Sequence, residues 1–369
     1  MYDTCSHARY APPPPHSSNG SSAVREVVIV IPDLYVAAGQ ESTPAARALP
    51  GLEQLARSGT RATLPVGWRP WLARWLLGPD DPLSDLAPAA VAARSLSSVQ
   101  AVEGAAAGSV WLATPVHLLA GLSSVHLDVH GVLRIVDEDA TALAGEFMRV
   151  FEGSGWRLEA LESGEFLAFG PEIAPADTVE PARWLGRDVA EGLPTGPGAR
   201  VLRRLGVEIE MWLHGSPLND VRARRGDAAI STLWLWGGGS AGPRGPSART
   251  NSHTRLCGTD SYLGGLGAHI GERRRALPAR LGEVFGYPHT SKVAVVVELA
   301  SMLHSTGERT MLEALGMVDE YFLEPGARAV KDGALEQLTV LANDRRLTLH
   351  RVHRWRWWRR SRPGLSGIL

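Results

Sequence analysis

Residues 26–34 read EVVIVIPDL: five consecutive β-branched residues, Val27 to Ile31, closed by a Pro-Asp pair. A run this short, with no polar alternation, predicts a strand covered on both faces within a parallel sheet. SKVAVVVELA (291–300) repeats the pattern and predicts a second central strand. The segment after the first run, TPAARALPGLEQLARSGTRATLP (43–65), reads as a loop followed by a helix. Pro50 suits the first turn of that helix, Leu52 and Leu55 form its apolar stripe, and Gly59 ends it. RPWLARWLLG (69–78) has Trp71, Trp75 and Leu76 at helical spacing, and the Ala-rich stretch from Leu86 to Ala107 reads as helical. TMLEALGMVDEYFLEP (310–325) predicts a further helix, and ALEQLTVLAND (334–344) a passage from helix to strand. Strands alternating with helices argue for an α/β fold with a mostly parallel sheet flanked by helices.

A different pattern runs from Ser109 to Phe169. VWLATPVHL, VHLDVHGVLRIV and WRLEALESGEFLAF read as short strands, with a helix over 139–151. These residues predict a small inserted α+β subdomain. The expected division is a tail at 1–25, an α/β core formed by 26–108 and 201–369, and an insert with its connector at 109–200. The tail is rich in Pro, Ser and Gly, with little to bury. His117, His126 and His130 fall in the insert, but their spacing across strands fixes no tetrahedral metal geometry.

The chain has 369 residues, enough for one large α/β domain or two smaller ones. Its net charge of −1 gives no whole-protein attraction to nucleic acid or membrane. Lys292 and Lys331 are the only lysines, so arginine abundance reflects composition rather than phosphate recognition. The two cysteines, Cys5 and Cys257, include one in the tail. That argues against a structural disulfide and fits a reducing compartment. No run approaches the ~18 apolar residues of a membrane span, and the N-terminus has no basic and apolar signal pattern. The expectation is a cytoplasmic protein without a membrane span.

Residues 213–239, LHGSPLNDVRARRGDAAISTLWLWGGG, join a polar cluster to a Trp-rich strand that runs into three glycines. Two readings stay open. In the first, the backbone of Gly237, Gly238 and Gly239 cradles a small anionic ligand, Arg222 and Arg225 face it, and His214 and Asn219 orient it. In the second, the same residues are a helix cap, a solvated helix face and a buried strand ending in a glycine turn. The amphipathic helix ahead of this stretch, Val201 to His214, carries Glu208 at the margin of its apolar face. Ser216 and Pro217 form an N-cap and N1 pair for the next helix.

Together VVIVIPDL, GLEQLARSGTRATLP, LHGSPLNDVRARRG and LWLWGGG resemble the RpfE-type regulatory proteins, themselves distant relatives of the cofactor-independent phosphoglycerate mutases. The resemblance implies an alkaline-phosphatase-like α/β core with an inserted domain. In that superfamily two metal ions hold the phosphate and activate a Ser or Thr nucleophile. The resemblance puts Asp33 at the first-strand metal position and leaves His304 and Asp344 as late ligands. The loop where a nucleophile is expected reads LPVGWRPWLARWLLGPDDPL, and between Thr63 and Ser84 there is no Ser, Thr or Cys. No catalytic residue is therefore assigned.

The expected function is that of a catalytically degenerate, phosphoglycerate-mutase-like regulatory protein that keeps a small anionic-ligand pocket and needs no cofactor. The alternative is an active metal-dependent phosphomutase or phosphatase using manganese or zinc. A further alternative is nucleic-acid or partner binding through DRRLTLHRVHRWRWWRR (344–360). Its period-2 alternation equally suits an edge strand with tryptophans inward and arginines solvated.

Overall fold

The computed structural model describes residues 24–34, 49–96, 108–240, 253–299, 302, 311–342 and 344–352. The tail up to residue 23, residues 353–369 of the C-terminal Arg/Trp stretch and beyond, residues 241–252 and His304 lie outside them. In chain order the main elements begin with β1 (Glu26–Ile31), α1 (Pro50–Ser58), β2 (Thr60–Thr63), α2 (Trp68–Leu77) and α3 (Pro88–Ala92). Next come β3 (Ser109–Ala120), β4 (Val125–Val132), α4 (Asp137–Val150), β5 (Arg157–Ala160) and β6 (Phe166–Gly170). α5 (Ala199–His214), α6 (Pro217–Arg225), β7 (Thr232–Ser240), β8 (Thr254–Cys257), α7 (Ser261–Ile270) and β9 (Lys292–Val296) follow. α8 (Met311–Val318) passes through one π-helical turn at Asp319–Leu323 into α9 (Glu324–Asp332), and β10 (Gln337–Ala342) and β11 (Arg345–His350) close the described chain.

The first sheet has the order β2-β11-β10-β1-β9-β8. β1 pairs in parallel with both β10 and β9, and β8 in parallel with β9. The expected parallel sheet is therefore its centre. β11 departs from it, running antiparallel to both β10 and β2. The reason is length: only Asn343 and Asp344 separate β10 from β11, which permits a hairpin but no crossover.

β1 is buried on both faces, as its sequence requires. Val27, Ile29 and Ile31 pack with Leu52, Leu55, Phe322 and Leu323 on one side. Val28 and Val30 pack with Trp68, Leu72, Tyr262 and Leu266 on the other. Each such side chain contributes ~1.5–3 kcal/mol on leaving water. α1 has no side-chain cap of its own. The buried Asp319 caps it instead, accepting from the Gly51 and Leu52 amides at 3.0 and 2.7 Å. That approach requires Gly51, because a Cβ there would stand 2.3 Å from the Glu324 nitrogen.

The second sheet is antiparallel and centred on β3, which pairs with β7 on one side and with β6 and β4 on the other. Its extent takes in elements beyond residue 200. α5, α6 and β7 belong with the insert: Leu202, Leu205, Ile209 and Leu213 pack with Trp111, Phe147 and Leu233. The amphipathic stripe of α5 marked a buried face but carried no sign of which sheet it would cover. α5 itself forms as expected, and Glu208 lies at its solvated margin, paired to Arg204 at 2.8 Å. The Ala-rich segment is helical over α3 and a following 3-10 turn, with 97–107 outside the described residues. In the segment at 334–344, the expected passage from helix to strand is strand alone over β10.

Candidate functional site: a buried arginine and carboxylate cluster

The C-terminal ends of the parallel strands face the insert, and acidic residues gather there from several separate segments. Asp33 follows β1, and its Oδ1 accepts from the Leu299 amide at 2.9 Å, tying that end to the end of β9. Glu298 comes from the same turn after β9. Asp260 follows β8 and caps α7, accepting from the Leu263 amide at 3.1 Å. The insert contributes Thr114 from β3, Arg134 beyond β4, Glu165 just before β6, and Glu180 from the connector. With Arg69 from the first turn of α2, these residues line a narrow space of only about 30 Å³. That is room for about one water molecule.

Two guanidinium groups organise the acids. Arg69 is 8% exposed; its Nη1 and Nη2 donate to the two Glu180 oxygens at 3.1 and 2.9 Å, and Nη2 lies 3.6 Å from Asp260. Its Cζ stands 4.4 Å from the Trp68 ring centroid and 4.8 Å from that of Trp236, so indole rings frame the planar cation. Arg134 donates from Nε and Nη2 to one Glu298 oxygen at 3.1 and 2.8 Å, and its Nη1 lies 3.7 Å from Glu165. Glu165 also accepts from the hydroxyls of Thr114 at 3.1 Å and Ser261 at 3.0 Å. Trp236 Nε1 in turn donates to Thr114 Oγ1 at 2.9 Å. Three of these pairs join the insert to the core: Arg69 with Glu180, Arg134 with Glu298, and Ser261 with Glu165.

Burial shapes the charges. Desolvation pulls both guanidinium groups down, but the surrounding carboxylates outweigh it and hold them above the ordinary arginine range. Burial pushes the Glu298 carboxyl up to about 7; Asp260, Glu165 and Asp33 add to that push, and Arg134 opposes it. Asp260 is likewise raised by burial, with Arg69 pulling it back.

Of the metal trio expected from sequence, Asp33 and Asp344 fall among the described residues. Asp33 lies in the cluster, but Asp344 is half-exposed and held in a fork by Arg183, with Nη1 at 3.1 Å from Oδ2. His304 is outside the described residues. Among the described residues no three of His, Cys, Asp and Glu are grouped to hold a metal ion. The acids beside Asp33 are engaged by guanidinium forks, so these residues do not fit the pair of divalent cations that the resemblance implies.

The expected anion cradle is divided as well. Asn219 is spent internally: its Oδ1 accepts from the Ile230 amide at 2.8 Å, and its Nδ2 donates to the Leu213 and Ile230 carbonyls at 2.8 and 3.0 Å. Arg222 donates to the Ala228 carbonyl at 2.9 Å and pairs with Asp139, which also takes Arg225 at 2.7 Å. His214 ends α5 on the surface. The glycines occupy the far end of β7, about 20 Å from Thr232 at ~3.3 Å per residue. One small anion cannot span that distance. Gly238 is required by packing, since a Cβ there would stand 2.1 Å from the Trp111 ring. Gly237 alone of the expected set borders an open groove of about 350 Å³, shared with Trp68, Arg69, Thr178 and Arg183.

No family model and no curated protein sequence matches the chain. Among solved structures, PH0037 protein from Pyrococcus horikoshii is similar at 11% identity, covering 89% of this chain and 88% of that one, with a TM-score of 0.45. A cofactor-independent phosphoglycerate mutase from Thermoplasma acidophilum DSM 1728 is similar at 15% identity, covering 88% and 90%, with a TM-score of 0.36. At these values no residue role passes from either protein to this one.

Sequence reasoning missed Arg69, Arg134, Glu165, Glu180, Asp260 and Glu298. They come from distant segments and share no spacing. The one local signal was Gly67-Trp68-Arg69: Gly67 has φ of +77°, a turn that admits the chain into α2 and puts arginine in its first turn.

Proposed function

We propose that this chain is a phosphoglycerate-mutase-like protein of the RpfE type that has lost phosphoryl transfer and acts through binding in regulation. The observation that carries the reading is Arg69. It occupies the first turn of α2, in the segment where the sequence resemblance expects a hydroxyl nucleophile, and its fork is locked to Glu180 beside Asp260. A guanidinium cannot form a phosphoenzyme. A small anionic ligand would enter the groove beside Trp68, Arg183 and Gly237 rather than a cradle at Arg222.

The test is an assay of purified protein for phosphoglycerate mutase and phosphatase turnover with added manganese or zinc, together with intact-mass analysis for a phosphorylated side chain. The expected result is neither turnover nor phosphoprotein. A phosphate trapped on Ser261, the hydroxyl at the start of α7 that donates to Glu165, would overturn the reading in favour of a metal-dependent enzyme with a displaced nucleophile.

A further inference from the structure

The cluster holds five carboxylates, Asp33, Glu165, Glu180, Asp260 and Glu298, around two guanidinium groups. Buried carboxylates at this density require cations among them. Both cations here are covalently part of the chain, and they enter from opposite sides: Arg69 on α2 of the core and Arg134 on the insert. The places they fill are shaped for a flat cation. Arg69 has two indole rings within 5 Å of its Cζ and a bidentate carboxylate on its two Nη atoms, while its Nε has no hydrogen-bond partner. Lysine, a compact point charge, would match neither the rings nor the fork.

We infer that Arg69 and Arg134 are the resident cations of an acid-lined cage, and that the vacated Arg69 position is a binding site for a free alkylguanidinium. The inference rests on the non-catalytic reading, because a cage filled by side-chain cations has no place for exchangeable metal. Removing the Arg69 side chain takes from Glu180 and Asp260 the guanidinium they share beside Trp68 and Trp236, leaving Glu180 only Arg183 Nε at 3.9 Å. A planar monocation of the same chemistry restores both the fork and the ring contacts, whereas a neutral isostere does not.

The experiment compares the thermal midpoints of the wild-type chain and Arg69→Ala with ethylguanidinium or ethylurea at low millimolar concentration. Ethylguanidinium is expected to raise the midpoint of Arg69→Ala by about 3 °C at roughly ten times its Kd, and to leave the wild type unmoved. Equal shifts in the two proteins, or equal effects of ethylurea and ethylguanidinium, overturn the inference. Should Arg69→Ala fail to fold alone, its refolding yield from urea decides: a yield raised by ethylguanidinium supports the cage, and an unchanged yield refutes it. A manganese titration of the wild type, read by electron paramagnetic resonance, needs no variant. The signal of free Mn²⁺ is expected to persist, and stoichiometric loss of it refutes the inference. Mutase or phosphatase turnover by the wild type would overturn the non-catalytic reading. A turnover-free wild type whose Arg69→Ala form ignores ethylguanidinium overturns the resident-cation inference alone.

Discussion

Raising the pH should weaken this protein through Glu298. Its carboxyl is 4% exposed and pushed from 4.5 up to about 7, chiefly by burial. Between those values the folded chain holds a proton that the unfolded chain has released. Stability from this group is therefore fully present below pH 4.5 and is lost as pH rises through about 7. A rise from 4.5 to about 7 corresponds to an energy on the order of 3 kcal/mol over that window. Asp260, also raised by burial, changes stability in the same sense, so the informative quantity is a difference between proteins. Urea midpoints measured from pH 5 to 8 for the wild type and Glu298→Gln should diverge in slope, the wild type falling more steeply. Above about pH 7 the variant also lacks the charge that faces Arg134, which changes its absolute stability there but gives it no titration at this position. Parallel curves for the two proteins would refute the claim that Glu298 is protonated in the folded cage.

Asp319→Ala removes the acceptor for two buried amides of α1 and is expected to cost about 2 kcal/mol in urea unfolding, with Asp319→Asn retaining part of it. Gly238→Ala drives a methyl group into the Trp111 ring and should cost ~1–3 kcal/mol, visible as a drop of several degrees in Tm. Asn219→Ala should destabilise by ~1–3 kcal/mol by orphaning the Ile230 amide, while leaving any binding of inorganic phosphate unchanged; weakened phosphate binding with intact stability would restore Asn219 to a ligand role.

The core of the fold was legible because its signals are local. An apolar run such as Val27 to Ile31 records burial on two faces in five residues, and Pro50 with Gly59 brackets α1 within ten. Ser216 and Pro217 also do what their types predict, the serine accepting from the Leu218 amide at the start of α6. What sequence concealed is allegiance and convergence. β7 looked like a core strand ending at the glycines, yet it runs through them to Ser240 and pairs with β3. Arg222 and Arg225, exposed in a helical projection, instead lock α6 to α4 through Asp139. The six charged residues missed by sequence are brought together only by two sheets meeting, and no periodicity encodes that meeting.

The difference between a metal ion and a guanidinium decides what such a cage can do. A divalent cation carries two charges in a compact sphere, retains exchangeable positions, and lowers the pKa of bound water enough to generate a nucleophile. A guanidinium carries one charge spread over a plane, offers only donors, and generates no nucleophile from bound water. Arg69 and Arg134 therefore neutralise carboxylates and bridge the insert to the core without supplying an activated oxygen. Replacing a buried charged network with apolar residues is commonly neutral or stabilising, so the network's persistence is not explained by stability alone. What the two arginines do supply is orientation: Arg69, forked to Glu180 and set against two indole rings, and Arg134, with two donors on one Glu298 oxygen, restrain the angle at which one subdomain meets the other. That restrains the groove beside Trp68 and Arg183, of which Arg69 itself is a wall, and under the proposed non-catalytic reading a groove of fixed shape is what binding would use.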